Sequence, residues 1–503
     1  MTDNRADVAD YSVPAPTDSA SSVDRQHRRT LVGIGLLSWA MYGLLGWWSL
    51  PFEYGRPEEA RPILLVMLLL AALFVLYLRA LRTALRMRAT AGFVQIVIVF
   101  ALAFRLVLLF TPPILEVDLY RYIWDGHVTA AGLNPFQFSP AEVMAAGAGH
   151  IGEPDLERII AVRNQSLGLR EILSRVHYAE LPTVYPPTSQ FMFALAAWTT
   201  PRDADVATLR LVMKCWILAF DVGSLLLLWR LHTHLNWPLG WTLAYGWCPL
   251  VLKEFANSGH LDSIAVFFTV AAVNAAVFGL FPRPAIGRRR QVAWVLTASV
   301  LLAVGVGAKL YPVVLGPLLL VTILRRLGGV TAILTTIVFL GVASMLLSPF
   351  VSHKFDAFAD MTRAGLPSDT PSVRIGHDSV GDPSRGLRTF LTQWKMNDFL
   401  FLLTEANLRP TSKEAVAPWF AVTPDVWRSA LTATVAPALG QPADQVPFLL
   451  ARLLTCLAFM GLALWWAWRA AFVDSSAVWC RYVFLTLAWF WLLSPTQNPW
   501  YWT

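Results

Sequence analysis

Nine apolar runs, each near the roughly 20 residues a helix needs to cross the hydrocarbon core of a bilayer, constrain this chain more than anything else in it. They lie near Thr30 to Leu50, Ile63 to Leu78, Phe93 to Phe110, Val206 to Leu228, Leu261 to Phe281, Val292 to Val306, Val330 to Leu347, Phe448 to Trp468 and Ala477 to Leu493. Three more, Pro187 to Thr199, Gly240 to Leu252 and Tyr311 to Leu324, are short or broken by proline. Lipid offers no partner to a free backbone N–H or C=O, so such runs fold as helices. The expectation is an all-α polytopic membrane protein, a bundle of about ten to thirteen transmembrane or re-entrant helices with short helices in its external loops.

Composition agrees: 56% hydrophobic against 15% charged residues is too apolar for a soluble protein of 503 residues. A net charge of +7 would suit nucleic acid, but the basic residues sit in short clusters between apolar runs, the pattern of the positive-inside rule. Cys215, Cys248, Cys456 and Cys480 all fall within apolar stretches without metal-like spacing and read as small hydrophobes. Residues 1–29 are expected to be a disordered cytoplasmic tail with no cleavable signal, and residues 30–503 a transmembrane domain with external loops 112–186 and 352–446.

The basic clusters set the orientation. Arg25, Arg28 and Arg29, then Arg79, Arg82, Arg86 and Arg88, then Arg283, Arg288, Arg289 and Arg290, then Arg325 and Arg326 are assigned to the cytoplasm. The loop opened by Asp118 is then external, as are Gly259 to Asp262, Lys309, the region Ser352 to Val446 and the terminal Asn498 to Tyr501. An odd number of crossings must separate Asp118 from Arg288, yet four candidate segments lie between them. One of Pro187 to Thr199 and Gly240 to Leu252 therefore does not cross, and its backbone must be buried in protein or line a cavity.

The external polar residues are the candidates for chemistry. Asp118, where a helix leaves the membrane, stands at the level of a lipid phosphate. Glu116 could join it on a divalent cation, magnesium or manganese. Arg121 and Asp125 have helical i,i+4 spacing, which suits an ion pair. Tyr120, Tyr122 and Trp124 read either as sugar-stacking rings or as interface anchors. Asn134 with Pro135 is a turn signal. Lys309, between a small-residue helix and Pro312, can offer its ammonium to a phosphate. His260 and Asp262 open a helix that Ser258 could cap, and they too could meet donor phosphate or sugar hydroxyls. In the second large loop Arg385, Arg388, Trp394 and Asn397 combine guanidinium forks with a ring and an amide. Arg105, Lys214 and Asp221 are charged within apolar runs and need partners, with Arg105 to Asp221 a cross-helix pair.

Asp118-Leu-Tyr-Arg-Tyr-Ile-Trp-Asp125-Gly126, Gly132-Leu-Asn134-Pro135-Phe136, Tyr185-Pro-Pro187, Gly259-His260-Leu-Asp262, Lys309-Leu-Tyr-Pro312 and Asn498-Pro-Trp-Tyr501 resemble, in order, the motif series of the GT-C glycosyltransferase superfamily. The nearest likeness is to glycosyltransferase family 87 and bacterial alpha-mannosyltransferases. The resemblance implies a hexosyltransferase, with mannose the preferred sugar, in the cell membrane with its site on the external or periplasmic face. It implies a polyprenyl-phosphate sugar donor, a glycan or lipid-linked acceptor, inversion at the anomeric centre, and Asp118 as catalytic base. The expected substrate-binding residues are Glu116, Tyr120, Arg121, Trp124, Asp125, Asn134, Tyr185, His260, Asp262, Lys309, Arg385, Arg388, Trp394 and Asn397. Similar proteins continue beyond the position of Thr503 into a further helix. A transporter or flippase of lipid-linked sugars is the alternative. Many such folds carry internal repeats, and none is visible here.

Overall fold

The computed structural model describes residues 18–87, 90–146, 154–282, 285–351, 396–397, 399–411 and 417–503. The described secondary structure is helical, apart from one isolated bridge between Met396 and Thr496. Among these residues nine helical stretches are long and apolar enough to cross a membrane. The chain is an all-α polytopic membrane protein.

Its helices are α1 (Asp18–Ser49), α2 (Ile63–Ala84), α3 (Ala91–Leu109), α4 (Asp118–Ala130), α5 (Pro140–Ala145), α6 (Pro154–Arg163), α7 (Leu167–Ser174), α8 (Pro187–Thr199) and α9 (Val206–Leu235). There follow α10 (Trp241–Gly246), α11 (Pro249–Val251), a π turn (Leu252–Ser258), α12 (Asp262–Leu280), α13 (Arg288–Ala308) and α14 (Gly316–Val351). The last are α15 (Leu400–Ala406), α16 (Asp425–Leu439), α17 (Val446–Ala471) and α18 (Ser476–Leu493).

The starts and stops follow from local chemistry. Thr90 caps α3 by accepting the Phe93 N–H, Asp205 caps α9 through Thr208, and Asn236 ends α9 in the left-handed region at φ 53°. Prolines 140, 187 and 249 stand in first turns, where a missing N–H costs no helical bond.

Contacts between helix ends fix the direction of each pass. At one end, Arg28 donates to Thr90 at 2.6 Å, Gly240 packs on the backbone of Ala84, Arg288 donates to the carbonyls of Arg326 and Leu327, and Arg326 reaches Val473 and Asp474. This is the arginine end of the bundle. At the opposite end Gly46 faces Thr111, Arg210 pairs with Glu53 at 2.8 Å, and Lys214 donates to the carbonyls of Leu108 and Thr111.

These contacts decide the parity question. The stretch from Trp241 to Ser258 begins beside Ala84 at the arginine end. It then meets Tyr77, Val97 and Arg105 in turn and reaches Thr111 and Pro112 through Asn257. It therefore crosses, as a broken helix. Pro187 to Thr199 does not. Helix α8 runs alongside α4 in the same direction, with Gln190 on Asp125, Phe193 on Gly126 and Trp198 on the Ala130 carbonyl. Its ends connect to Tyr185 and to the start of α9, so it stays on the Asp118 side of the bundle. Three crossings then separate Asp118 from Arg288: α9, the broken segment and α12.

Helix α14 is also two passes. Gly328, at φ 80° and ψ 168°, breaks it. Arg288 at the start of α13 meets Leu327, and Gly307 at its finish meets Leu346, so Tyr311–Leu327 returns antiparallel to α13 and Gly329–Val351 runs parallel to it. Counting both halves and the broken segment, the nine candidate spans become eleven passes among the described residues.

The largest buried cluster lies on the Asp118 side, where Leu119, Tyr122, Ile123, Trp124 and Val128 of α4 meet Phe193 of α8, Leu209, Met213 and Ile217 of α9, and Ile264 and Ala265 of α12. Gly126 makes the α4–α8 approach possible, since a Cβ there would stand 2.5 Å from the Phe193 carbonyl oxygen.

Candidate functional site

Asp118 is the first residue of α4, and the loop before it is tightly held. Asn257 accepts the Ile114 N–H at 3.0 Å and donates to Thr111 and Pro112. One oxygen of Glu116 accepts the N–H groups of Val117 and Asp118, both at 2.9 Å, filling orphan donors at the start of α4. The Asp118 carboxylate thus projects from a helix N-terminus, with the Tyr185 phenol beside it.

The π turn supplies the opposite wall. It delivers Lys253 and Glu254, then Gly259 reverses the chain at φ 74°. A Cβ on Gly259 would come within 3.1 Å of Leu119 and 3.2 Å of Lys214, so both conformation and space favour glycine. His260 follows, almost fully buried. Its Nε2 lies 3.1 Å from the second Glu116 oxygen and 3.3 Å from Glu254, which also pairs with Lys253 at 3.1 Å. Trp500 stacks on the imidazole, with centroids 4.2 Å apart and planes 18° from parallel.

Lys309 closes the third side. It ends α13 in an extended conformation, pairs with Asp262 at the start of α12, and lies 3.9 Å over the Tyr501 ring. The Tyr501 ring in turn packs on Trp491, 4.6 Å away.

Electrostatics divides these groups. Burial would raise the carboxyl of Glu116, but His260 beside it and the backbone N–H bonds hold it at about 2. Burial would lower His260, but Glu116 and Glu254 lift it to about 10, so the imidazole is charged at neutral pH. Asp118 is raised, first by burial and then by the Glu116 charge. Burial lowers Lys309 against the opposing pull of Asp262.

Glu116, Asp118 and His260 each offer a donor atom within 4.8 Å of the others, a set that could be considered for a divalent cation. Such an ion would take the place of the charge that His260 brings within 3.1 and 3.3 Å of two carboxylates, so the set as built suits a charged imidazole better.

Of the residues singled out in the sequence, Glu116, Asp118, Tyr185, His260, Asp262 and Lys309 converge. Others have different work. Tyr120 is buried beneath the Arg175 guanidinium. Arg121 donates to the carbonyls of His177, Tyr178 and Leu181, holding the loop that leads to Tyr185. The expected pairing of Arg121 with Asp125 is not what orders either side chain, because Asp125 accepts at 3.2 Å from Gln190, which also donates to Thr183. Trp124 is core, and Asn134 caps its own turn through the Phe136 N–H at 2.9 Å. Asn397 donates to the carbonyls of Leu492 and Ser494, tying its segment to the end of α18. Ser258 does not cap α12, whose N-cap is Leu261 with no side-chain hydrogen bond. Arg385, Arg388 and Trp394 lie outside the described residues.

Sequence reasoning missed Glu254 and Lys253, and it set Trp500 and Tyr501 on the Asp118 side without bringing them to His260 and Lys309. The available signal was the Lys253-Glu254 dipeptide at the end of an apolar segment, where ionisable residues are costly and need a reason.

No curated protein and no solved structure matches the chain. A family model described as alpha-(1->6)-mannopyranosyltransferase, N-terminal domain, matches residues 47–325, more than half of the sequence and the part that carries Asp118, His260 and Lys309. The chain belongs to this alpha-(1->6)-mannopyranosyltransferase family and is a membrane glycosyltransferase.

Proposed function

We propose that the protein transfers a hexose, mannose by its family, from a polyprenyl-phosphate sugar to a glycan or lipid-linked acceptor on the external face, with inversion and Asp118 as general base. The observation that carries this reading is that Asp118, at the start of α4, and Lys309, at the end of α13 on Asp262 and Tyr501, stand at the same end of the bundle. Glycosyl transfer from a lipid phosphate needs a base for the acceptor proton and a cation for the departing phosphate. A carboxylate raised by burial is a better base than an ordinary one, and Tyr185 orients it. With one carboxylate on the attacking side, the acceptor oxygen forms its bond to the anomeric carbon as the phosphate oxygen leaves. The acceptor proton passes to Asp118. Lys309, steadied by Asp262 and Tyr501, faces the leaving phosphate. The opposite end gathers Arg28, Arg288 and Arg326, which supports its assignment to the cytoplasm.

A transfer assay with membranes and labelled polyprenyl-phosphate mannose tests this. Asp118→Asn should lower kcat by about 10²–10⁴-fold, the usual worth of a positioned base. Undiminished transfer by that variant removes Asp118 as the base, and failure of the native protein to consume any lipid-phosphate sugar removes the donor assignment.

A further inference from the structure

Glu254 belongs to no motif that the resemblance brought forward, and nothing in the proposed chemistry uses it directly. It is nonetheless an acid almost fully buried at the end of a membrane pass, in a π turn, a geometry rare in proteins and frequent at functional sites. A regular α-helix would need no such register change to cross. The turn brings the Glu254 carboxylate to the one ring nitrogen of His260 that also faces Glu116. The backbone reinforces the arrangement, since the His260 N–H donates to the Glu254 carbonyl at 3.0 Å.

From there the contacts run in series. Glu254 holds His260, His260 holds one oxygen of Glu116, and the other Glu116 oxygen accepts the backbone N–H of Asp118. Trp500 closes over the imidazole face and leaves the ring little freedom to turn.

We infer that Glu254 is a positioning residue, acting through His260 and Glu116 to fix the backbone from which Asp118 projects. The inference rests on the reading of Asp118 as the base. Glu254 itself exchanges no proton with substrate. Its work is to keep the imidazole aimed at Glu116, so that the start of α4, and with it the base, holds one position. A base displaced by about 1 Å loses on the order of 100-fold in rate without losing its substrate.

The test uses the full-length protein in membranes and three forms: native, Glu254→Gln and Glu254→Asp. Transfer from polyprenyl-phosphate mannose is measured across donor concentrations, and each purified form is checked for its thermal midpoint. Positioning predicts a kcat for Glu254→Gln that is on the order of 100-fold lower with KM for the donor within a few-fold of native. It also predicts recovery of most of that kcat in Glu254→Asp, which restores the charge toward His260. A Glu254→Gln kcat within threefold of native overturns the inference. So does equal loss in both variants accompanied by a fall in thermal midpoint, because Glu254 would then hold the fold and not the base. If the native protein consumes no donor, the functional reading falls and this inference with it. An active native enzyme indifferent to Glu254→Gln removes the positioning role alone.

Discussion

Arg105 of α3 grips Asp221 of α9 with two prongs, Nε to one carboxylate oxygen at 2.6 Å and Nη2 to the other at 3.0 Å, and both side chains are buried. Arg105 also donates to the carbonyls of Ala101 and Gly246, and Tyr245 donates to Asp221 at 2.8 Å. The pair therefore joins two unbroken passes to the broken one that carries Glu254 and His260.

Removing one partner should be costly. Asp221→Asn leaves a buried guanidinium without its counter-charge and should destabilise the detergent-solubilised protein by about 3–5 kcal/mol, while Arg105→Met with Asp221→Leu should cost less. Unfolding midpoints of the two variants and the native protein check the order. A double variant less stable than the single one would show that the neighbouring carbonyl bonds, and not the charge balance, matter most.

The charged His260 gives stability a direction in pH. Its value in the fold, about 10, lies above the ordinary 6.5, so its contribution is complete below about 6.5 and is lost as pH rises toward 10. Glu116 acts at the other limb: its value of about 2 against an ordinary 4.5 gives stability that is complete above 4.5 and lost as pH falls toward 2. Both limbs describe one pair, His260 with Glu116, set among Asp118, Lys253 and Glu254. Midpoints measured from pH 6 to 10 should fall in the native protein and stay flatter in His260→Gln.

Lys309 should act on the donor phosphate. Lys309→Met should weaken the reaction by roughly 10–100-fold in kcat/KM for the lipid-phosphate sugar, the worth of a charge-assisted hydrogen bond. Lys309→Arg should retain part of it. Equal loss in both would point to the Asp262 pairing as the larger need, since Asp262 is deprived of the native ammonium in each.

Gly126→Ala tests how the α4–α8 contact positions the base. The added methyl meets the Phe193 carbonyl at 2.5 Å, so the helices must separate, at a cost of about 1–3 kcal/mol. Transfer should fall because Asp118 starts α4 and Tyr185 stands just before α8. Gly43→Ala on α1 meets nothing within 4 Å and serves as the comparison.

Much of this was legible in the sequence, for stated reasons. Long apolar runs have one backbone solution in lipid, so the passes could be read directly. A charge within such a run needs a partner, which made Arg105 with Asp221 readable across 116 positions. The parity conflict was readable too, but not its resolution. Pro187–Thr199 and Gly240–Leu252 are similarly apolar, and what separates them is that Gly126 lets α4 lie against α8 on the Asp118 side. Tyr120 and Trp124 looked like site aromatics because hydropathy cannot tell a ring facing a cavity from one covered by Arg175 or by the core. Glu254 escaped because the bonding register of a π turn leaves no mark in composition.

That register has a consequence for how related sequences should be compared. The turn from Leu252 to Ser258 winds more slowly than the α-helix around it. Loss of one residue there would let the strand of chain relax into ordinary helix with its backbone bonds intact. Because slower winding absorbs the extra residue, the chain beyond the deletion would keep nearly the same direction about the axis. It is Glu254, carried inside the turn, that would lose its approach to His260 although neither residue had changed. A one-position gap within 252–258 is therefore equivalent to replacing Glu254, whereas a conservative exchange of Phe255 for another large apolar residue is not.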